Sequence, residues 1–400
     1  MKILTINAGS TSIKFKLYSM PKESVVAYGR VENIGQAGPV LNFYSKKYSE
    51  DGRKYDIPDH KVGLNLIIDK LSDPKVEAIS NRSEIDAIGH RVVHVADYVS
   101  SPIIITDKVV GYIRKCSELA PLHNLPNLLG IVTCMEIFGS IPNIGVFDNI
   151  FHKDIPEKAY LYAIPYRYYK KYKIRRYGFH GIAYTYMVDR VSKLLRKDLG
   201  RLKIIALMLG GGSSVAAINC GRSIDTSMGF TPTEGIPSST RCGDIDPAIL
   251  VYLLKKEDLG PEKIDNIINK ESGILGLSRY YQDFREIEKG VLSGDSCCIR
   301  AFNSYTYRIK KYIGAYIAAM GGLDAIVFGG GIGENSYMAR EAILSHLEYL
   351  KIKLDIVKNR SLSGEGTVSS ADSGVAVFVA GVDEELVIAR ESYRLVRKAS

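Results

Sequence analysis

The chain has 400 residues, 46% of them hydrophobic, and carries a formal net charge of +9. That length exceeds one ordinary core and points to two domains of a soluble globular enzyme. No apolar run reaches a membrane span, the basic residues gather in no tail or helix stripe that would mark a nucleic-acid partner, and six cysteines without CxxC spacing read as reduced, mostly buried thiols of a cytoplasmic protein.

The chain enters a strand, Lys2–Asn7, within three residues, which leaves no room for a signal peptide. Across the turn at Gly9 and Ser10 comes a second strand, 12–18, and further strands are expected at 25–31, 87–89 and 144–148, with helices at 62–71, 109–120 and 127–138. The basic and tyrosine-rich stretch Lys153–Lys173 reads as a surface segment. A strand, glycine turn and strand then recur: 203–209, Gly210-Gly211-Gly212, 214–219, followed by a strand at 223–226. Helices at 247–255, 262–270 and 298–320 lead to a buried strand 325–328, a glycine turn 329–333, a helix from Asn335, a last strand 375–380 and a helix 383–398. The pattern predicts an α/β protein of two related domains, each a mixed sheet flanked by helices, with an interdomain active-site cleft and a compact hinge near residue 150.

A tight glycine or serine turn between strands lets backbone N–H groups converge on an anion. Two such turns facing each other would grip a polyphosphate. The run Gly330-Gly331-Ile332-Gly333-Glu334-Asn335 lies between a strand and a helix, where a nucleotide can approach the backbone, although its spacing is neither a Walker loop nor the dinucleotide fingerprint. Arg91 and Arg241 each adjoin an apolar stretch and suit a cleft wall, where guanidinium forks would hold phosphoryl oxygens; each also reads as half of a structural ion pair, Arg241 with Asp244 for instance. His123 and His180 sit among turn-forming residues, whereas His60 and His346 read as ordinary surface or core groups. Asp148 ends an apolar strand, and Asn7, Asp148 and Glu384 are oxygen donors at element ends, suited to Mg²⁺ held through its waters.

Together these residues resemble the acetate kinase family, within the acetate and sugar kinase, heat-shock ATPase and actin superfamily with its actin-like, ribonuclease H-like architecture. The resemblance runs through NAGSTSIK from Asn7, GHRVVH from Gly89, APLHN from Ala120, VFDNIFH from Val146, RRYGFHG from Arg175, DTSMGFTP from Asp225, TRCGDIDP from Thr240, ESGILGLS from Glu271, GGIGENS from Gly330 and the Glu384-Glu385-Leu386 triplet. It implies reversible in-line transfer of the γ-phosphoryl of ATP to acetate, giving acetyl phosphate and ADP, with Mg²⁺ or Mn²⁺, by a homodimer. It implies an acyl-kinase domain, 1–149 with 386–400, and a nucleotide-binding domain, 150–385. Arg91, Arg241, His180, His123 and Asp148 would be catalytic, Asn7 and Glu384 would place the metal, and Ser10, Ser12 and Lys14 would line the first phosphate turn. Gly210, Gly211 and Gly212 would form the second, and Asp283, Phe284, Arg285 and the 330–335 loop would contact adenosine. Val93, Leu122, Phe179 and Pro232, with Arg91, would hold acetate, and propionate would follow as the slower acid.

The chain departs from the family at Met208 and Gly211, which stand where the family has histidine and asparagine in its second turn, and at Tyr184, again in place of a histidine. Val95-Ala96-Asp97 and Ser238-Ser239 differ as well. Two lost side-chain donors predict weaker turnover or donor affinity. A pyrophosphate donor, another short-chain acid and a weakly active nucleotide-binding regulatory protein are the alternatives.

Overall fold

Within residues 1–399, which the computed structural model describes apart from the side chains of Pro121, Leu122 and Ala399, the chain forms two units: Met1–Ile150 with Asp383–Ser400, and Phe151–Val382. In the first, eight strands lie in the order β5-β4-β3-β2-β1-β6-β8-β7. They are β1 Lys2–Ala8, β2 Ser12–Ser19, β3 Ser24–Glu32, β4 Val40–Ser45, β5 Ser49–Lys54, β6 Ile85–Val92, β7 Ile103–Ile104 and β8 Asn143–Phe147. β1 pairs antiparallel with β2, Ala8 opposite Ile13, and parallel with β6, which is itself parallel to β8. Leu4, Ile6 and Ala8 alternate toward a core with Ile13, Phe15 and Leu17, covered by helices α1 (His60–Leu71) and α3 (Pro121–Phe138). Val92, Val95 and Phe147 join Val109 and Ile113 of α2 (Asp107–Lys115) in a separate cluster. The C-terminal helix Glu384–Ala399 returns onto β6 so closely that a Cβ on Gly89 would stand 2.5 Å from Ile388 and Ser392.

In the second unit six strands lie in the order β11-β10-β9-β12-β14-β13: β9 Lys203–Leu209, β10 Ser213–Asn219, β11 Arg222–Thr226, β12 Ala325–Gly329, β13 Gly366–Thr367 and β14 Ala376–Val379. The run β11-β10-β9-β12-β14 repeats β3-β2-β1-β6-β8: an antiparallel meander on one side and two parallel strands on the other. β9 is buried on both faces, which is why it reads as a continuous apolar run. Ile205, Leu207 and Leu209 pack with Tyr305 and Ile309, while Ile204 and Ala206 pack with Tyr184, Met187 and Val191. Tyr184, Met187 and Val191 come from helix α4 (Gly181–Leu195) and Tyr305 and Ile309 from α7 (Ser296–Met320); the unit also holds α5 (Ala248–Lys256), α6 (Phe284–Ser293), α8 (Gly330–Asn335) and α9 (Tyr337–Leu344).

Several expectations need correction. The loop expected at 329–333 is largely the helix α8, and the next helix opens at Ser336, whose Oγ accepts the Ala339 N–H at 2.9 Å. α3 begins at Pro121 and not at 127, with proline in the first turn where its missing N–H costs nothing. The helix expected at 109–120 stops at Lys115. Of the six free thiols, Cys116, Cys134 and Cys298 are buried and Cys220 is exposed. In 153–173 the tyrosines and cations stack on each other, Lys170 lying 5.1 Å from the Tyr166 ring. Among the described residues no helix is long and apolar enough to cross a membrane.

Candidate active site

In the first unit the β1–β2 turn closes through the Gly9 N–H, which donates to Ser12 O at 2.8 Å. The Gly9 carbonyl accepts from Nε2 of buried His60 at 2.7 Å. His60 is thus a core group, as expected, and one that supports the turn. Asn127, buried in α3, donates to Ala8 O at 2.7 Å and accepts the Val93 N–H at 3.1 Å, so one amide ties the turn to the chain leaving β6. Asn124 does the same for His94, accepting its N–H at 3.1 Å and donating to its carbonyl at 2.7 Å. Ser10 and Lys14 are exposed at this turn and Ser12 is half-buried.

Parallel pairing of β6 and β8 brings Arg91 and Asp148 to neighbouring strand ends. Nε and Nη2 of Arg91 donate to one oxygen of Asp148 at 3.1 and 2.9 Å, and Nη1 lies 3.1 Å from Glu384 at the start of the C-terminal helix. Arg91 is therefore both the expected charged group and half of a structural ion pair. Burial pushes the Glu384 carboxyl up to about 7, against the pull of Arg91, with Asp148 and Glu385 adding to the rise. A cation beside Glu384 would relieve that crowding. Half-buried Asn7 and Glu384 thus fit a magnesium ion that keeps most of its waters, and among the described residues no group of three or more His, Cys, Asp or Glu forms a dedicated metal cage. Val93 is buried, His123 lies half-buried in the first turn of α3, and the side chain of Leu122 lies outside the described residues.

In the second unit His180 occupies the left-handed region, φ 58° and ψ 21°, as the residue before α4. Such a conformation in a non-glycine residue costs about 1–2 kcal/mol and persists only where the surroundings hold it. Those surroundings are visible. Buried His152 donates from Nε2 to Phe179 O at 2.9 Å and takes the Ser223 hydroxyl on Nδ1 at 2.7 Å, and burial lowers its pKa to about 4. Gly178 has φ 77° and packs so tightly that a Cβ would stand 2.6 Å from the His152 ring. The N–H groups of Tyr177 and Gly178 both donate to Gly229 O, tying buried Phe179 to the loop that carries half-buried Pro232.

A Cβ on Gly212 would stand 3.5 Å from both Nε2 of His180 and Nη1 of Arg241, so both side chains face the second turn. Asp244 is not held for Arg241: its carboxylate accepts the Gly235 N–H at 2.9 Å and the Tyr312 hydroxyl at 2.6 Å. Burial alone lowers the pKa of Arg241. Beside the turn is a cavity of about 620 Å³ lined by Gly210, Gly211, Ser239, the segment 282–285, Glu288, Gly331, Ile332, Asn335 and Ser336. It brings together three stretches that lie far apart in sequence. Phe284 gives it only an edge, because its ring packs in the core against Phe302 and Tyr305. Asp283 caps α6 and binds Arg285, while Glu334 accepts the Gly330 N–H at 3.0 Å. Gly330, with φ 76°, and buried Gly333 shape the loop without lining the cavity. Buried Arg340, which sequence reasoning missed, donates to the carbonyls of Gly333 and Glu334 at 2.9 Å each and pins the loop from behind. Glu288, Ser239 and Gln282 were missed as well; each is a lone polar residue with no motif around it.

Residues 2–390 match the model of the acetokinase family. The chain is 48% identical over 396 residues to the acetate kinase of Halothermothrix orenii, a match covering 99% of this chain and 100% of the relative. A crystal structure of Porphyromonas gingivalis acetate kinase is similar with a TM-score of 0.92 at 41% identity, covering 99% of each chain. A propionate kinase from Francisella tularensis gives a TM-score of 0.91 at 35% identity, covering 98% of this chain and 99% of that one.

Proposed function

The chain belongs to the acetokinase family, and on that premise we propose that it transfers the γ-phosphoryl group of ATP to acetate, giving acetyl phosphate and ADP, and catalyses the return reaction. The observation that supports this most is the cavity at Gly210 and Gly211, where the second turn, the Asp283 segment and the Gly331 loop converge. Acetate supplies its own oxygen as nucleophile, so the chain needs only to align the reactants and to present positive charge to the equatorial oxygens. Arg91 and Arg241 bind the carboxylate and the moving phosphoryl group, His180 donates to that group with His123 in support, and Asp148 fixes the Arg91 fork. Ser10, Ser12, Lys14 and Gly210–Gly212 hold phosphates through their turns, and the cavity takes adenosine. Asn7 and Glu384 hold Mg²⁺, or Mn²⁺, through its waters; the ion, when bound, neutralises charge on the phosphate oxygens.

Val93, Phe179 and Pro232 exclude longer acids. One methylene in such a pocket changes kcat/KM by about ten- to two-hundred-fold, so propionate is the slower substrate. A homodimer is supported by α5, which buries no residue of its own and exposes Ile249, Val251 and Tyr252. The test is acetyl phosphate formation from acetate or propionate with ATP and then with pyrophosphate. ATP with acetate is the expected best pair; ATP binding without turnover on any pair overturns the proposal. A double-mutant cycle on Arg91 and Arg241 then reads whether both grip the same group, and additive losses would separate them.

A further inference from the structure

Two of the chain's departures from the family pattern, Met208 and Tyr184, pack in one cluster. Tyr184 is fully buried in α4, and its hydroxyl lies 2.5 Å from Ser214 Oγ on β10. Ser214 is also fully buried, pairs with Met208 across β9 and β10, and places the same Oγ 2.8 Å from Nδ1 of His180. The three groups form a chain of hydrogen bonds running from the core to the second glycine turn.

The direction of that chain follows from counting protons. Burial pushes the Tyr184 phenol above its ordinary value, with the Ser214 hydroxyl and the Met208 amide acting against the rise, so the phenol keeps its proton. A buried donor needs an acceptor, and Ser214 Oγ is the one beside it. Ser214 then has its own proton to give, and Nδ1 of His180 is in place to receive it. The opposite order, with Nδ1–H donating to Ser214 and Ser214 to the phenol, leaves the phenolic proton stranded in a dry core. An imidazole that accepts at Nδ1 carries its proton at Nε2, the nitrogen that faces Gly212 beside Arg241.

We propose that Tyr184, acting through Ser214, is a positioning residue that fixes His180 as the Nε2–H tautomer, a neutral donor aimed at the second phosphate turn. The proposal deepens, and rests on, the reading of His180 as a donor to the transferring phosphoryl group. It also recasts the departures at 184 and 208. A tyrosine in place of a histidine brings a hydroxyl that does not change protonation near neutrality, so the orientation of His180 is set by a proton that stays in place.

The test uses the full-length enzyme labelled with ¹⁵N-histidine, the His180 signals being assigned with a His180→Gln variant. Long-range ¹H–¹⁵N spectra of the wild type should show His180 as the Nε2–H tautomer. Tyr184→Phe, which keeps the ring, should mix in the Nδ1–H form and lower kcat about tenfold with both KM values within about twofold; Ser214→Ala should do the same, and Ser214→Thr should restore both readouts. A wild-type Nδ1–H tautomer overturns the proposal, as does a fall in kcat with the tautomer unchanged, which would give Tyr184 a packing role only. A shifted tautomer with unchanged kcat upholds the relay and instead overturns the role assigned to His180. Should Tyr184→Phe fail to fold, the wild-type spectrum and Ser214→Ala decide the question.

Discussion

Removing Arg91 and removing Arg241 should both stop phosphoryl transfer, yet the two losses should have opposite consequences for stability. Arg91 holds Asp148, which is 1% exposed, through two donors, and holds Glu384 through a third. In Arg91→Ala the buried Asp148 and the half-buried Glu384 lose their cation, and breaking a buried pair in this way costs about 3–5 kcal/mol. With roughly 2–4 °C per kcal/mol for a unit of this size, the melting temperature should fall by about 10 °C. Arg241 is different, because burial lowers its pKa and so disfavours its charge in the fold. Arg241→Ala should therefore leave the melting temperature at or slightly above that of the wild type while kcat falls by about a thousandfold or more, as for other groups that meet charge in the transition state. Circular dichroism melts of the two variants, beside initial rates with saturating ATP and acetate, give both readouts. An Arg91→Ala protein as stable as the wild type would show that the ion pair carries no weight in the fold, and a destabilised Arg241→Ala protein would show that its guanidinium is structural.

Three further outcomes are expected. Gly330→Ala places a methyl group 2.6 Å from the Leu209 carbonyl at a residue with φ 76°, so ATP affinity should fall more than about tenfold while the KM for acetate holds, and an unchanged ATP affinity would remove the loop from the nucleotide site. Burial lowers His90 and His152 to about 4 and His94 to about 3, whereas the unfolded chain takes those protons near 6.5, so stability is full above that value and falls as the pH drops from 6.5 toward 4. At pH 5 each histidine should cost about 2 kcal/mol, and His152→Gln should flatten the dependence of the urea midpoint on pH by that amount; an unaltered slope refutes the assignment. Met208→His alone should change kcat by less than about threefold because Tyr184 fills the neighbouring space, whereas Met208→His with Tyr184→His should show coupling above about 0.5 kcal/mol in a double-mutant cycle, and additivity would show the two positions to be independent.

What the sequence made legible follows from where the physics is local. β9 was readable to the residue because both faces are buried and a glycine turn ends it. β5, Ser49–Lys54, was not, because an exposed strand rich in charge at the sheet edge has no apolar alternation to announce it. α4 is hard to read because its apolar residues crowd its first half, and α6 because its N-cap, Asp283, lies in a segment that also resembles an adenosine contact. Arg91, Asp148 and Glu384 were each picked out as charges at element ends. Their joining into one cluster depends on the parallel pairing of β6 with β8 and on the C-terminal helix beginning nearby, neither of which any local pattern encodes.

The internal echo shows the same division from the other side. Both glycine-bearing turns lie between antiparallel strands, and each sheet continues with two parallel strands, so the repeat is one of topology. The groups that hold the turns are not repeated. In the first unit an imidazole, His60, and an amide, Asn127, fasten the backbone from α1 and α3. In the second a hydroxyl does this, Ser213 Oγ donating to Gly210 O at 3.1 Å and lying 2.9 Å from the Tyr305 phenol, while the backbone N–H of Ser239 donates to Gly211 O at 3.0 Å. A turn that binds phosphate must present unobstructed N–H groups, which glycine and serine satisfy wherever it occurs, so that part of the pattern recurs in the chain. Rigidity has many chemical solutions: the first unit draws its own from helices tens of residues away, and the second from Ser213 at the turn itself and from Tyr305 of α7. The motif therefore marks where unobstructed N–H groups are offered, while His60, Asn127 and Tyr305, which help to hold the turns, lie outside it.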